Sequence, residues 1–267
     1  ITAQVHSSGG RIIRLLWHME RLVHPSFLAG DLPVSAHPGL QPDLLTRMKV
    51  DWNMSRLDHS KSLKYSLIDD FAAAAARTDE AGFDGVQLHA ANGYLIDQFL
   101  RDGPICELIP TAENIDRLLV ELTQAVGEKL GSDRVDVCPS PAVLNKGMME
   151  CIPTALFMQH SILYKSPFWN CANSPPTENP DYNRTQIVAC DTIGVYPSLV
   201  LNSDYNAASA RQAIDTGAAD AISIGCPFIA NPDLPLRIKR GVPLAAGDAA
   251  TWYSGVTAGY FDYPPAT

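Results

Sequence analysis

The chain has no excess of positive charge, no paired-cysteine motif and no long apolar run, and each absence removes a class of function. Lys and Arg number 20 against 29 Asp and Glu, for a net charge of −9. That balance argues against nucleic acid or an anionic membrane as a partner. Six cysteines (Cys106, Cys138, Cys151, Cys171, Cys190 and Cys226) form no C-x-x-C pair, and no Cys/His cluster has zinc-ligand spacing. Free thiols in a reducing, cytoplasmic compartment are the ordinary reading; the even count leaves secretion with a few disulfides open. No apolar stretch approaches the ~18 residues of a transmembrane helix, and no internal repeat or low-complexity tract is present. What the chain does have is 267 residues at 46% hydrophobic content, enough for a full core in one domain over 1–267. It opens on Ile1 rather than Met, which reads as processing, trimming or an internal start.

The local patterns alternate. Residues 10–18 read as a short strand and 24–66, rich in Pro, His and Asp, as an elaborated loop. Asp69 to Ala81 reads as a helix capped by Asp69 or Asp70 and stopped by Gly82. A strand over 85–88 follows at once, then a helix from Ala112 to Leu130 closed by Gly131, and a strand from Arg134 to Cys138. Pro153 to His160 suggests a short helix and 165–192 a long loop. Ser198–Leu201 and Ala221–Ile224 read as strands, Ala207–Thr216 and Leu234–Arg240 as helices. Strands alternating with helices at this spacing imply a parallel sheet.

One stretch carries chemistry. The strand at Gly85 to Leu88 runs directly into His89, Asn92 and Tyr94. Alone, His89 is ordinarily a hydrogen-bonded core histidine, Asn92 a turn residue before Gly93, and Tyr94 a packing group. Together at a strand end they could hold a carbonyl oxygen and deliver a proton beside it.

The stretch from Phe83 to Gly103, with Leu16-Trp17-His18, His24-Pro25-Ser26-Phe27, Arg134 to Pro141, Ala219 to Pro232 and the tail Gly259 to Pro264, closely resembles the old yellow enzyme family of flavin-dependent ene reductases. The resemblance implies an α/β fold, a TIM (β/α)8 barrel with active-site residues at the carboxyl ends of its strands. It also implies that His89 and Asn92 grip a substrate carbonyl and that Tyr94 protonates an alkene. Trp17, His18 and His24 would line the same mouth, while Tyr260 and Tyr263 would close the barrel's side.

Against that pattern, nothing in the chain matches the family's first two barrel strands, which carry backbone contacts to the flavin. Either 1–66 has been rebuilt to close the wall, or a second subunit covers the gap (a homodimer would suit), or the chain is incomplete. The family's flavin-binding positions also differ. A Gln on the third strand is Leu15 here, an Arg on the fifth is Cys138, glycines on the seventh are Asn202 and Ser203, and the Arg closing the eighth is Cys226. Losing several charge-assisted bonds would cost on the order of 4–6 kcal/mol, three to four decades of affinity. Cys138 and Cys226 read as fillers, since no base is visibly paired with either.

The expectation is therefore a flavin-independent, redox-neutral isomerase or cyclase with no cofactor. It would act on an enone or other carbonyl-bearing natural-product intermediate, with Leu15, Trp17, His18, Cys138 and Cys226 lining the substrate pocket. An FMN- and NADPH-dependent ene reductase is the alternative, and a catalytically inactive binding relative the second.

Overall fold

The computed structural model describes residues 1–19, 61–100, 117–139, 168–171, 198–202, 205–252, 257–259 and 261–266. The chain forms two compact units, Ile1–Val200 and Leu201–Thr267.

In the first unit a short helix, α1 (Thr2–Ser7), precedes strand β1 (Ile13–Leu16). Helix α2 (Lys61–Glu80) leads to β2 (Gly85–Ala90), α3 (Leu95–Phe99), α4 (Arg117–Leu130), β3 (Val135–Pro139) and β4 (Phe168–Cys171). These four strands pair in chain order and all run parallel. Parallel neighbours require a crossover between them; α2 links β1 to β2 and α4 links β2 to β3.

The register decides which side chains share a face. Leu15 lies opposite Gln87, Gln87 opposite Asp136, and His89 opposite Cys138. Because side chains alternate along a strand, one face of β2–β3 carries Gln87, His89, Asp136 and Cys138. The other carries Val86, Leu88, Ala90, Val135 and Val137. This second face is the core: it packs with Leu67, Phe71 and Ala75 of α2 and with Leu118, Leu119, Leu122, Val126 and Leu130 of α4. Those helix residues recur at the three- and four-residue spacing of one helix side. Burying a side chain such as Leu122 stabilises by about 2–3 kcal/mol.

Helix ends form where glycine permits them. Gly82 and Gly131 adopt φ of 77° and 95°, just past Glu80 and Leu130, as their positions predict. The start of α2 differs from expectation. The helix begins at Lys61, so Asp69 and Asp70 lie inside it as exposed residues rather than capping it, and the loop read over 24–66 ends earlier. Two further readings change: residues 10–18 contribute a strand only over Ile13–Leu16, and Phe168–Cys171 is a strand inside the stretch read as loop. Helices α1 and α3 left no sequence signal, being only six and five residues long. The helix read at Pro153–His160, residues 112–116 of the helix before β3, and most of 165–192 lie outside the described residues.

Two polar clamps order the strand entrances. Asp84 accepts from the Ile12 N–H at 2.7 Å and lies 2.9 Å from His6 Nε2, tying α1 and β1 to β2. Those contacts, the Ile12 N–H foremost, hold the Asp84 carboxyl below its ordinary range. Arg134 donates to the carbonyls of Phe83 at 2.8 Å and Asp84 at 2.9 Å, and pairs with Asp79 at 2.8 Å. Gly85 is required beside it, because a Cβ there would meet the Arg134 carbonyl oxygen at 2.6 Å.

Strand β5 (Ser198–Asn202) spans the boundary between the units, and the second unit continues with α5 (Ala207–Asp215), β6 (Ala221–Ser223), α6 (Cys226–Ala230) and α7 (Leu234–Arg240). Asn206 and Ser209 form a capping box at the start of α5. Buried Arg237 binds Asp233 at 2.7 Å and the Pro264 carbonyl at 2.9 Å, fastening the tail. Among the described residues no helix is long and apolar enough to cross a membrane.

Candidate active site

The site forms where β2 leaves the sheet. Ala91, Asn92, Gly93 and Tyr94 make a tight turn closed by the Tyr94 N–H on the Ala91 carbonyl at 3.2 Å. Asn92 and Gly93 have φ of 60° and 75°, the two positive values a type I′ turn requires, and Asn-Gly is the pair that adopts them most cheaply. The Gly93 N–H donates to Asp97 Oδ2 at 2.7 Å. Asp97 is fully buried in α3, so the helix after the turn fixes the turn's shape. A local sequence reading misses this role, because nothing marks Asp97 apart from other first-turn acids.

The turn brings three rings together. The centroids of His89 and Tyr94 lie 4.9 Å apart, those of Trp17 and Tyr94 5.0 Å apart edge to face, and those of Trp17 and His89 6.2 Å apart and stacked. These are distances at which aromatic rings attract. His89 is buried. Tyr94 is half-buried, and burial pushes its phenol above the ordinary value, so it carries its proton at neutral pH. Asn92 stands at the tip of the turn.

The other residues expected at this mouth divide. His18 is half-buried, and its backbone carbonyl accepts from the Leu95 N–H at 3.4 Å. Burial lowers its imidazole pKa, with Asp70 opposing. Leu15 on β1 and Trp17 just past its end are 41% and 48% exposed. Cys138 is a buried cysteine in register with His89. Cys226 is an exposed free thiol in the second unit, where it opens α6 after Gly225. In that unit Asn202 Nδ2 donates to Ser223 Oγ at 3.3 Å, and the Tyr263 hydroxyl accepts from the Asp248 N–H at 3.0 Å. His24 and Tyr260 lie outside the described residues.

One pair carried no sequence signal. Below the His89–Cys138 layer, Gln87 Nε2 donates to Asp136 Oδ2. Asp136 is 6% exposed, and its Oδ1 is buried with no hydrogen-bond partner among the described residues. Burial pushes its carboxyl up to about 7, against the opposing pull of Gln87 and the Val137 N–H.

A profile of the NADH:flavin oxidoreductase / NADH oxidase family matches residues 1–245. A flavin oxidoreductase of Emericella nidulans is 32% identical over 295 residues, covering 99% of this chain and 75% of the relative. A chanoclavine-I aldehyde reductase of Penicillium roqueforti is 32% identical, covering 98% of this chain and 73% of the relative. Among solved structures, the old yellow enzyme homologue from Zymomonas mobilis superposes with a TM-score of 0.84 at 35% identity, over 100% of this chain and 77% of that one. Morphinone reductase in complex with tetrahydroNAD gives 0.86 at 28%, over 100% and 76%. The fold is thus the TIM barrel of the old yellow enzymes.

These matches overturn the expectation of a flavin-independent, redox-neutral isomerase or cyclase without a cofactor. The relatives are flavin oxidoreductases and reductases, and FMN with a nicotinamide is what the family implies. The physical error lay in summing the side-chain bonds lost at Leu15, Cys138, Asn202, Ser203 and Cys226. That sum leaves out backbone contacts and any group at a position where the family pattern has none. Tested on the residues themselves, the inner face of β1–β3 suits a flat heteroaromatic ring. It presents the Trp17 and His89 rings, a small thiol at Cys138 and the orphaned Oδ1 of Asp136. The chain belongs to the NADH:flavin oxidoreductase / NADH oxidase family, among the old yellow enzymes.

Proposed function

We propose that the protein is an FMN-dependent ene reductase that draws its electrons from NADH or NADPH and reduces an alkene conjugated to a carbonyl. The observation that carries this reading is the His89–Asn92–Tyr94 constellation at the end of β2, its three residues ordered by a type I′ turn and by ring contacts of 4.9 and 5.0 Å. Trp17, His89 and Cys138 would border the FMN ring. When bound, FMN supplies the hydride.

His89 and Asn92 donate hydrogen bonds to the substrate's carbonyl oxygen and stabilise the negative charge that grows there as the alkene is reduced. A preorganised donor of this kind is worth about 3 kcal/mol in the transition state. Tyr94 carries the proton that the alkene carbon needs. A phenol keeps its O–H at neutral pH, the state a general acid requires, and burial raises its pKa further. The Trp17 edge and the His89 ring hold the phenol in place and exclude water from one side. Leu15 and His18 would line the approach to this mouth.

The test is an absorbance spectrum of the purified protein from 300 to 550 nm, followed by steady-state oxidation of NADPH with 2-cyclohexenone as acceptor. About one FMN per chain and enone-dependent turnover are expected. A colourless protein that neither binds added FMN nor oxidises NADPH overturns the reading.

A further inference from the structure

The Gln87–Asp136 pair lies on the same face as the site, yet the mechanism above does not use it. It sits one strand step below Cys138, about 6.6 Å along β3. Two features set it apart from a structural hydrogen bond. Asp136 is 94% buried by its 6% exposure, and one of its oxygens has no partner among the described residues. An unpaired buried polar atom ordinarily costs on the order of 1–3 kcal/mol, so such atoms persist where a ligand completes them. The neighbour above it, Cys138, is a thiol and so a weak donor. The strongest hydrogen-bonding group that β3 offers to a ring lying over this face is therefore Asp136.

We propose that Asp136 is an FMN-binding residue that takes up a proton with the cofactor, its neutral acid donating from Oδ1 to an acceptor at the edge of the flavin ring while Gln87 holds Oδ2. The inference rests on the FMN reading above. An ionised carboxylate has no hydrogen to give and would repel an acceptor atom, so only the neutral acid completes the contact. Among the described residues, the titratable groups sharing this face are Cys138 on β3 and His89 on β2, with Tyr94 packed against His89. From β4 the register partner is Phe168, which does not titrate. Leu15 is the corresponding residue of β1.

The proton gives the proposal its own signature. Free Asp136 titrates near 7. If the complex requires the neutral acid, affinity is constant below that pH and weakens about tenfold per pH unit above it. The experiment is FMN titration of the protein from pH 5.5 to 9, read by flavin fluorescence. Calorimetry at pH 8 in two buffers of different ionisation enthalpy counts the protons. Wild type should show the break near pH 7 and uptake of close to one proton per FMN. Asp136→Asn, whose amide donates without titrating, should bind as wild type does at pH 6 and lose the pH dependence. Asp136→Ala should bind about tenfold more weakly at pH 6. A flat wild-type profile without proton uptake overturns this inference while leaving the FMN reading intact. So does an Asp136→Asn variant that keeps the wild-type slope, which would move the titration to His89. Absence of FMN binding at every pH overturns both.

Discussion

The two faces of β2 and β3 hold different residues and satisfy them to different degrees. On the outer face Val86, Leu88, Val135 and Val137 are at most 1% exposed and close against α2 and α4. That face is apolar throughout, so burial leaves nothing unpaired. The inner face of the same strands carries Gln87, His89, Asp136 and Cys138, and at its edge Leu15 and Trp17 remain over 40% exposed. The apolar core lies on one side, and the residues proposed for chemistry lie on the other. The strand backbone between them lets each be changed separately, which is the arrangement that allows a barrel to hold a functional site.

Mutations can test that separation. His89→Ala should lower kcat/KM for an enone by on the order of 10²–10³-fold, the cost of one lost oxyanion donor, while the thermal midpoint stays close to wild type. Unfolding the protein as well would place His89 in the core. Leu122→Ala on the outer side should do the reverse. It should cost about 3 kcal/mol in urea unfolding and leave turnover per folded molecule unchanged.

Asp136 lies on the inner face yet should also register in stability, with a sign fixed by its raised pKa. The folded state binds the proton up to about 7, the unfolded state only up to 3.8. The neutral acid thus stabilises the fold at low pH, and this contribution fades as pH rises through 7. Wild type should lose about 2–3 kcal/mol from this group between pH 5 and pH 8, and Asp136→Asn should remove that dependence. Equal pH profiles for the two proteins would show the carboxyl to be ordinary. The smallest effect is expected for Gly85→Ala, whose added methyl must push the Arg134 carbonyl away. A loss of about 1–2 kcal/mol is expected, read by thermal unfolding, with activity retained in the folded fraction.

The sequence made some of this plain and hid the rest for identifiable reasons. The helix stops at Gly82 and Gly131 are legible because a glycine past an apolar periodic run is a local signal. The His89–Asn92–Tyr94 cluster is legible as a grouping of residues because its members lie within six residues on a strand and its turn. The start of α2 is not, since Asp69 and Asp70 look like caps whether or not the helix continues before them. The cofactor is not legible, because replaced side chains are visible in a sequence while groups that could take over their work are not.

The sequence by itself determined the alternation of strands and helices, the family, and the three residues at the end of β2. All of these follow from spacings along the chain or from a motif carried whole in one segment. Only the tertiary structure decided that Gln87 meets Asp136 across 49 residues, that Asp97 closes the turn beneath Asn92, and that Trp17 stacks on His89. Those contacts depend on register between strands and on the seating of α3 behind the turn. A one-residue slip of β3 would turn Asp136 to the opposite face and erase the pair without altering a single local pattern.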